Sequence, residues 1–346
     1  MSEESTLRKL KPRVLVVLEL DGKVVVDEEL ADILRGIRST GSLIKTARSL
    51  GKPYSRAWEK VARAERLLGL KLVEARRGGY KRGGTRLTKA GEEVLRIYED
   101  YRERLGAHVS KKVLTGKMPD LVVIGSHDPL LELLVGRVKT KMGLDVEVSW
   151  VGSAGGLAAL MTGDADIAGV HLYDEESGEY NEPFLDRYWL RGHVVLVKGY
   201  CRELGLVFRP EKPVKSIRDL LSGEYRLANR NLGSGTRHML EVLLRREGVE
   251  PEEAAKVIPG YETEYRTHTE VAEAVVRGDA DVGLALRVVA EPRGLGFLSV
   301  AWERYDLVVS KNSLDKEGVK ALLGLLSSPF LKELISRMPG YKEIEK

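Results

Sequence analysis

GLAALMTGDADIAGV, residues 156 to 170, returns later in the chain as EVAEAVVRGDADVGLA, residues 270 to 285. Each copy reads as a short helix, a glycine that stops it, Asp-Ala-Asp, and a β-rich strand. The two stopping glycines, Gly163 and Gly278, lie 115 residues apart, which is too long for a solenoid period and suits two similar lobes. Asp164 with Asp166 and Asp279 with Asp281 also admit a metal reading. Gly-Asp after a helix is ordinary turn chemistry, however, and no third ligand stands near either pair.

Between the copies lies NRNLGSGTRHML, Asn229 to Leu240. An apolar segment, Tyr225 to Ala228, runs into Gly233-Ser234-Gly235-Thr236-Arg237, and an apolar-periodic run continues from Met239. Strand, tight turn and helix are implied. Glycines allow close backbone approach, the first amides of a helix point outward, and two hydroxyls and a guanidinium stand beside them, so the turn can seat an oxyanion. The plainer reading, a glycine-rich turn that only starts a helix, stays open. GxxxxGK[ST] is absent, and His238 stands where a dinucleotide fingerprint needs Gly or Ala.

Upstream, Leu121 to Ile124 and Val146 to Val151 read as strands, and Leu130 to Met142 and Leu157 to Thr162 as helices. Alternation of this kind predicts an α/β domain with mostly parallel strands. Four helix starts then carry hydroxyls or glycine: Ser126, Ser153, Ser234-Gly235-Thr236, and Thr267-His268-Thr269. Converging helix amides and hydroxyls bind a tetrahedral oxyanion, and Arg237 adds a bidentate donor. The expected ligand residues are Ser126, Ser153, Ser234, Gly235, Thr236, Arg237, His268 and Thr269. Plain N-capping is the competing role for each hydroxyl. His127 and His171 also fall in expected cleft loops, whereas His193 opens a strand and reads as structural. Ser126, His127 and Asp128 spell a hydrolytic triad on paper, but neighbours point different ways and GxSxG is absent. No histidine pair has metal-ligand spacing, so no metal, cofactor or enzyme activity is expected.

The whole chain has 346 residues, 31% of them charged, one cysteine (Cys201) and no glutamine. That composition excludes a disulfide framework and a disordered chain, and suits a thermophile. The first residues hold no signal-peptide pattern and no stretch approaches a membrane span, so a cytoplasmic protein without a membrane partner is expected. Charge is uneven. Residues 1 to 112 carry 26 Lys+Arg against 16 Asp+Glu, and the remainder 30 against 36. This implies two domains with different partners, and the basic one suits nucleic acid.

In that basic part, Asp21-Gly22 predicts a hairpin, Asp27 a cap for a helix to Thr40, Ser42 a cap for Leu43 to Leu50, and Tyr54 to Leu68 a third helix. Strands at Lys71 to Arg77 and Thr85 to Leu87 flank a basic glycine-rich tip, giving an α+β winged helix-turn-helix. Its expected DNA contacts are Lys52 just before the recognition helix, Tyr54, Ser55, Arg56, Lys60 and Arg63 on it, and Arg76, Arg77, Lys81 and Arg82 on the wing. From Thr88 to about Val113, Val94, Tyr98, Tyr101, Leu105 and His108 form a 3.5-residue seam. A dimer helix and a helix packed on its own domain both fit it.

GSLIKTARSLGKPYSRAWEKVARAERLLGLKLVEARRGGYKRGGTRLTKAGEEVL resembles the DNA-binding domain of the ModE-type molybdate-dependent regulators, through YSRAWE and the paired-glycine wing with LTxxG after it. The remainder of the chain is not the small oligo-binding-like molybdate domain such repressors usually carry, so their ligand does not simply transfer. HLYDEESGEYN, NRNLGSGTR, THTEVAEAVVRGDADVGLA and ERYDLVV instead resemble the cytoplasmic binding-protein-like domain found fused to ModE-type DNA-binding domains and to molybdopterin biosynthesis proteins. The resemblance implies a type II periplasmic-binding-protein fold, two α/β lobes that hinge on a ligand. It predicts a winged helix-turn-helix at 1–88, a long helix and linker at 89–119, and a two-lobed sensing domain at 120–346. Leu121 to Leu196 with about Leu286 to Lys346 would form one lobe, and Val197 to Ala285 the other. The expected protein is a homodimeric regulator that binds a double-stranded DNA operator and senses a small oxyanion, molybdate or tungstate in the first instance. Alternatives are an organic-anion or molybdopterin-type sensor, a DNA-tethered enzyme of cofactor biosynthesis, and an architectural DNA binder.

Overall fold

The structure, a computed structural model, describes residues 16–75, 84–104 and 118–344. The chain divides into two compact units, residues 1–118 and 119–346.

In the first unit, β1 (Leu18–Leu20) and β2 (Lys23–Val26) pair across Asp21 and Gly22, both at positive φ (51° and 73°). That is the mirror-image turn which Asp-Gly favours because its twist matches the strands. The Glu28–Thr40 helix is capped by Asp27, whose carboxylate accepts from the Leu30 amide at 3.0 Å, and stops at left-handed Gly41. Leu30, Ile33, Leu34 and Ile37 are fully buried along its inner face, each contributing about 1.5–3 kcal/mol by leaving water. Gly36 lets the next helix, Leu43–Ser49, come close: a Cβ there would stand 2.3 Å from a Thr46 methyl. The third helix, Tyr54–Leu68, turns Ala57, Val61 and Ala64 inward. β3 (Val73–Ala75) pairs antiparallel with β4 (Thr85–Leu87). The Lys89–Arg104 helix buries Leu95 and Tyr98 while Tyr101 stays exposed. Part of the 3.5-residue seam is therefore spent inside this unit; Leu105 and His108 lie outside the described residues.

The second unit is a two-lobed α/β domain on one nine-stranded sheet, ordered β10-β9-β11-β8-β12-β7-β5-β6 with β13 (Tyr341–Lys342) on β8. In the first lobe, β5 (Leu121–Gly125) runs parallel to β6 (Val146–Trp150) and β7 (Ile167–Val170). In the second, β9 (Leu227–Arg230) runs parallel to β10 (Glu264–Tyr265) and β11 (Val282–Leu286). Two antiparallel 15-residue strands, β8 (Val194–Phe208) and β12 (Gly296–Ser310), pass through both lobes. The return crossing is thus β12 and not Leu286, because Gly296 to Ser299 still pair with Phe208 to Gly205, the β8 end that carries β11.

The repeat is structural. Its helices, Gly152–Thr162 and His268–Arg277, both stop at left-handed glycines, Gly163 and Gly278. The second aspartate of each copy clamps a neighbouring backbone amide: Asp166 accepts from Val122 and Asp281 from Arg226, both at 2.9 Å. Asp164 accepts from Thr162 and Asp279 from Arg277. These carboxylates hold the lobes together locally, and no metal-ligating cluster exists among the described residues. Nor is any helix among them long and apolar enough to cross a membrane.

Candidate functional site

Helix starts and strand ends meet between the lobes, where the two close on each other directly. The Ala154 amide donates to the Gly233 carbonyl at 3.1 Å, and His238 Nε2 donates to the Tyr173 carbonyl at 2.7 Å. Gly152, at φ 85°, makes this contact possible, since a Cβ there would stand 2.6 Å from the Gly233 oxygen. A Cβ on Gly235 would likewise stand 2.5 Å from the carbonyl oxygen of His171.

The helix starts differ in detail from those read in the sequence. Asp128 caps the Pro129–Met142 helix, so Ser126 is no cap. The Gly152–Gly156 run is helical, which places Ser153 inside the first turn with its hydroxyl accepting from the His171 amide at 3.2 Å. Ser234 caps the Gly235–Arg246 helix and Thr267 the His268–Arg277 helix, leaving Thr269 half-buried in the latter's first turn. Thr236 Oγ1 is buried and has no hydrogen-bond partner among the described residues.

Arg237, expected to hold the anion, is committed elsewhere. Its guanidinium faces Glu241 at 3.3 Å, Glu264 at 3.6 Å and Glu262 at 3.9 Å, and lies 5.0 Å over the Tyr261 ring. Three carboxylates nearby oppose an added anion. Arg230 has the opposite environment. It ends β9 with its side chain buried, donates to the carbonyls of Tyr265 (3.2 Å) and Arg266 (2.8 Å), and keeps Nη1 unpartnered. No carboxylate lies within 4.0 Å of it among the described residues. Burial, with Arg202 beside it, pulls its pKa down to about 9. Glu270 and Glu303 offset this only from beyond ion-pair distance, and a buried guanidinium without a contacting carboxylate is costly and supplies a reason for an anion to bind.

Its neighbours carry unpartnered polar atoms. His268 is fully buried and neither ring nitrogen has a hydrogen-bond partner among the described residues. Burial first, then Arg230 and Arg202, hold its pKa well below the ordinary imidazole value. His127 stands 6.0 Å away, ring to ring, with Nδ1 unpartnered and Nε2 3.5 Å from Glu132. Parallel strand ends and helix starts meet here, which is where open α/β sheets bind ligands.

Behind these groups runs a buried polar chain that local sequence reading missed. Ser126 Oγ is 2.8 Å from His171 Nε2, and His171 Nδ1 is 3.1 Å from Glu303. Glu303 also pairs with Arg202 at 3.1 Å, Arg202 pairs with Asp128 at 3.0 Å, and Tyr200 and Tyr341 donate to Asp128. Burial drops the His171 pKa to about 4, Arg202 adding to the effect and Glu303 opposing it. Burial works against the charge of Glu303, yet His171 and Arg202 hold its carboxyl below the usual range. His193 lies apart, its backbone joined to Leu190 and Lys311.

In the first unit, the basic face is partly neutralised. Lys52 and Arg56 reach Glu29 at 2.8 and 2.9 Å, and Lys60 reaches Asp27. Tyr54, expected on the exposed face, is fully buried and stacks 6.3 Å from Trp58, because helix periodicity puts position 54 in line with Ala57 and Val61. Ser55 is half-buried and Arg63 exposed. Arg76, Arg77, Lys81 and Arg82 lie outside the described residues.

The family described as the PBP superfamily domain matches residues 136–327. A Bacillus subtilis protein, uncharacterized protein YvgK, is 28% identical over 265 residues, 74% of this chain and 84% of its own length. The transcriptional regulator ModE of Yersinia pestis is 30% identical over 90 residues, 26% of this chain and 34% of its own. The molybdenum-pterin-binding protein MopB of Rhodobacter capsulatus is 40% identical over 83 residues, 24% of this chain and 30% of its own. The chain therefore spans about a third of the length of those last two relatives. Among solved structures, a putative phosphate ABC transporter substrate-binding protein from Clostridium perfringens, with bound phosphate, has a TM-score of 0.51 at 14% identity. It covers 65% of this chain and 99% of its own, a likeness of fold.

Proposed function

The chain belongs to the PBP superfamily, and on that premise we propose that its two-lobed domain senses a small anion and that its first unit carries the response to DNA. One observation carries the anion reading: Arg230 is buried without a carboxylate partner, beside His268, whose two ring nitrogens are both unpartnered. An anion between the lobes would give each of them a partner and would hold the lobes closed. The residues favoured for this are Arg230, His268, His127 and Thr236, with the amides that open the helices at Gly152, Gly235 and His268.

DNA binding rests on the helix order and hairpin of the first unit, its positive charge, and the likeness to ModE. In this reading it is a winged helix-turn-helix, acts as a cytoplasmic homodimer, and places its two recognition helices about one DNA turn, roughly 34 Å, apart. Molybdate and tungstate are the first ligands to try, on the strength of the ModE and MopB relatives and of the resemblance in the sequence. We propose a sensor and not an enzyme. The Ser126–His171–Glu303 chain resembles a hydrolytic triad, but a histidine that resists protonation to about pH 4 makes a poor general base near neutrality.

The test has two arms. The melting temperature of the purified protein is titrated with molybdate, tungstate, sulfate and phosphate; binding at a hundredfold excess over Kd stabilises by about 2.7 kcal/mol. Gel-shift affinity for its own upstream DNA is then measured with and without the anion that binds. No shift with any anion would sink the sensor reading; affinity indifferent to a bound anion would sink the regulatory one.

A further inference from the structure

Ionised Glu303 can only accept hydrogen bonds, so the His171 nitrogen facing it, Nδ1, carries the imidazole proton. Burial and the guanidiniums of Arg202 and Arg230 oppose a second proton on this ring more strongly than Glu303 favours it, and Tyr305 covers its face at 5.9 Å. His171 is therefore neutral with a bare Nε2. The hydroxyl of Ser126 stands 2.8 Å from that nitrogen and must donate to it.

Proton direction decides what Ser126 can do next. With its hydrogen spent on His171, Ser126 has only lone pairs left to offer. It precedes His127, whose Nδ1 is unpartnered, and His171 packs on Gly235, next to the unpartnered Thr236. The serine is thus an acceptor joined, through His127 and His171, to residues that carry unpartnered polar atoms.

We infer that the anion this cleft is built to take carries a hydrogen-bond donor of its own, which Ser126 accepts; this deepens the anion reading above and rests on it. A fully deprotonated oxyanion would meet Ser126 lone pair to lone pair. Otherwise it would draw the serine proton away from His171 and leave Nε2 bare in a buried site. An anion bearing O–H or N–H donates to Ser126 and leaves the Ser126–His171–Glu303 chain paired. Sulfate, molybdate and tungstate lack such a hydrogen in mildly alkaline buffer, whereas the dianions of phosphate and arsenate keep one at the same charge and nearly the same shape.

Calorimetric titration of the full chain with these five dianions is the test. Phosphate or arsenate should bind about tenfold or more tighter than any of the other three. Sulfate, molybdate or tungstate binding as tightly as phosphate would overturn the inference while leaving the anion reading intact; failure of all five to bind would bring down both. Glu303→Gln gives a second measurement. Its amide can donate to His171 Nδ1 and its carbonyl accept from Arg202, so the ring takes its other tautomer, Nε2–H donates to Ser126, and the hydroxyl is released toward the anion. Preference should then move about tenfold or more toward the deprotonated dianions. An unchanged preference in a folded variant would overturn the inference, and if that variant does not fold the unmutated protein decides alone.

Discussion

Arg237 donates to the carbonyl of Arg230 at 3.5 Å, and the two guanidiniums have opposite surroundings on either side of that bond. Arg237 is held among Glu241, Glu262 and Glu264; Arg230 has backbone carbonyls and an unpartnered Nη1. Substitutions should separate them. Arg230→Met removes a buried charge whose partner is the ligand, so anion affinity should fall about a hundredfold or more. The empty protein should lose little stability or gain some, as buried charges replaced by apolar groups often do. Arg237→Met should leave anion affinity within a few-fold and destabilise by about 1 kcal/mol, because the half-buried Glu241 loses its partner while Glu262 and Glu264 stay in contact with solvent. Titration calorimetry and urea melts on both variants check the pair. Equal loss of anion binding would return Arg237 to the site.

The buried histidines set a pH dependence whose sign is fixed. His171 titrates near 4 in the fold and at the ordinary imidazole value when unfolded, and His268 is lowered as well. Between those values the unfolded chain binds more protons, so stability is fully present above about pH 6.5 and is lost as pH falls toward 4. His171 alone accounts for about 3 kcal/mol across that window. Urea melts at pH 7, 6 and 5 should show a falling midpoint. A midpoint that rises on acidification would mean that the ring is charged in the fold.

Lobe closure depends on glycine at 152. Alanine there must adopt φ 85° and press a methyl against the Gly233 carbonyl and the Ser234 amide. Gly152→Ala should therefore favour the open arrangement, weaken anion binding about tenfold or more, and leave each lobe folded. Small-angle scattering with saturating anion should report a larger radius for the variant. Unchanged affinity would mean that closure is not part of binding.

Features were legible in the sequence where their signals are local. The repeat could be read because a helix, its glycine stop and the next strand are encoded within about fifteen residues, and the caps at Asp27 and Ser42 because a cap lies three residues from the amide it accepts. Arg230 lay inside the stretch singled out as an anion seat yet passed as the end of a strand. Its isolation depends on residues 265 and 266, which no local pattern joins to it. Ser126, His171 and Glu303 are drawn together by β5, β7 and β12, the histidine and the glutamate lying 132 positions apart. Arg237 misled for the same reason: Gly-Ser-Gly-Thr-Arg displays a free guanidinium until Glu262 and Glu264 arrive from another loop.

Glu29 offers a test of the DNA reading that leaves the other unit alone. It accepts Lys52 and Arg56 at once and stands 3.8 Å from Lys60, so one carboxylate holds back three cations assigned to phosphate or base contact. Although burial opposes its charge, Lys52 and Arg56 hold its carboxyl below the usual range, so it remains a competing anion at neutral pH. Glu29→Gln should raise affinity for duplex DNA several-fold at low salt. It should also steepen the fall of log K with log salt by about 0.9 for each additional phosphate contact formed. Glu28 and Asp27 continue to start the helix, so the variant should melt within about 1 kcal/mol of the parent. Fluorescence anisotropy across a salt series gives both quantities. A variant whose affinity and salt slope match the parent would remove Lys52, Arg56 and Lys60 from the DNA contact and leave the wing and Arg63 to carry it.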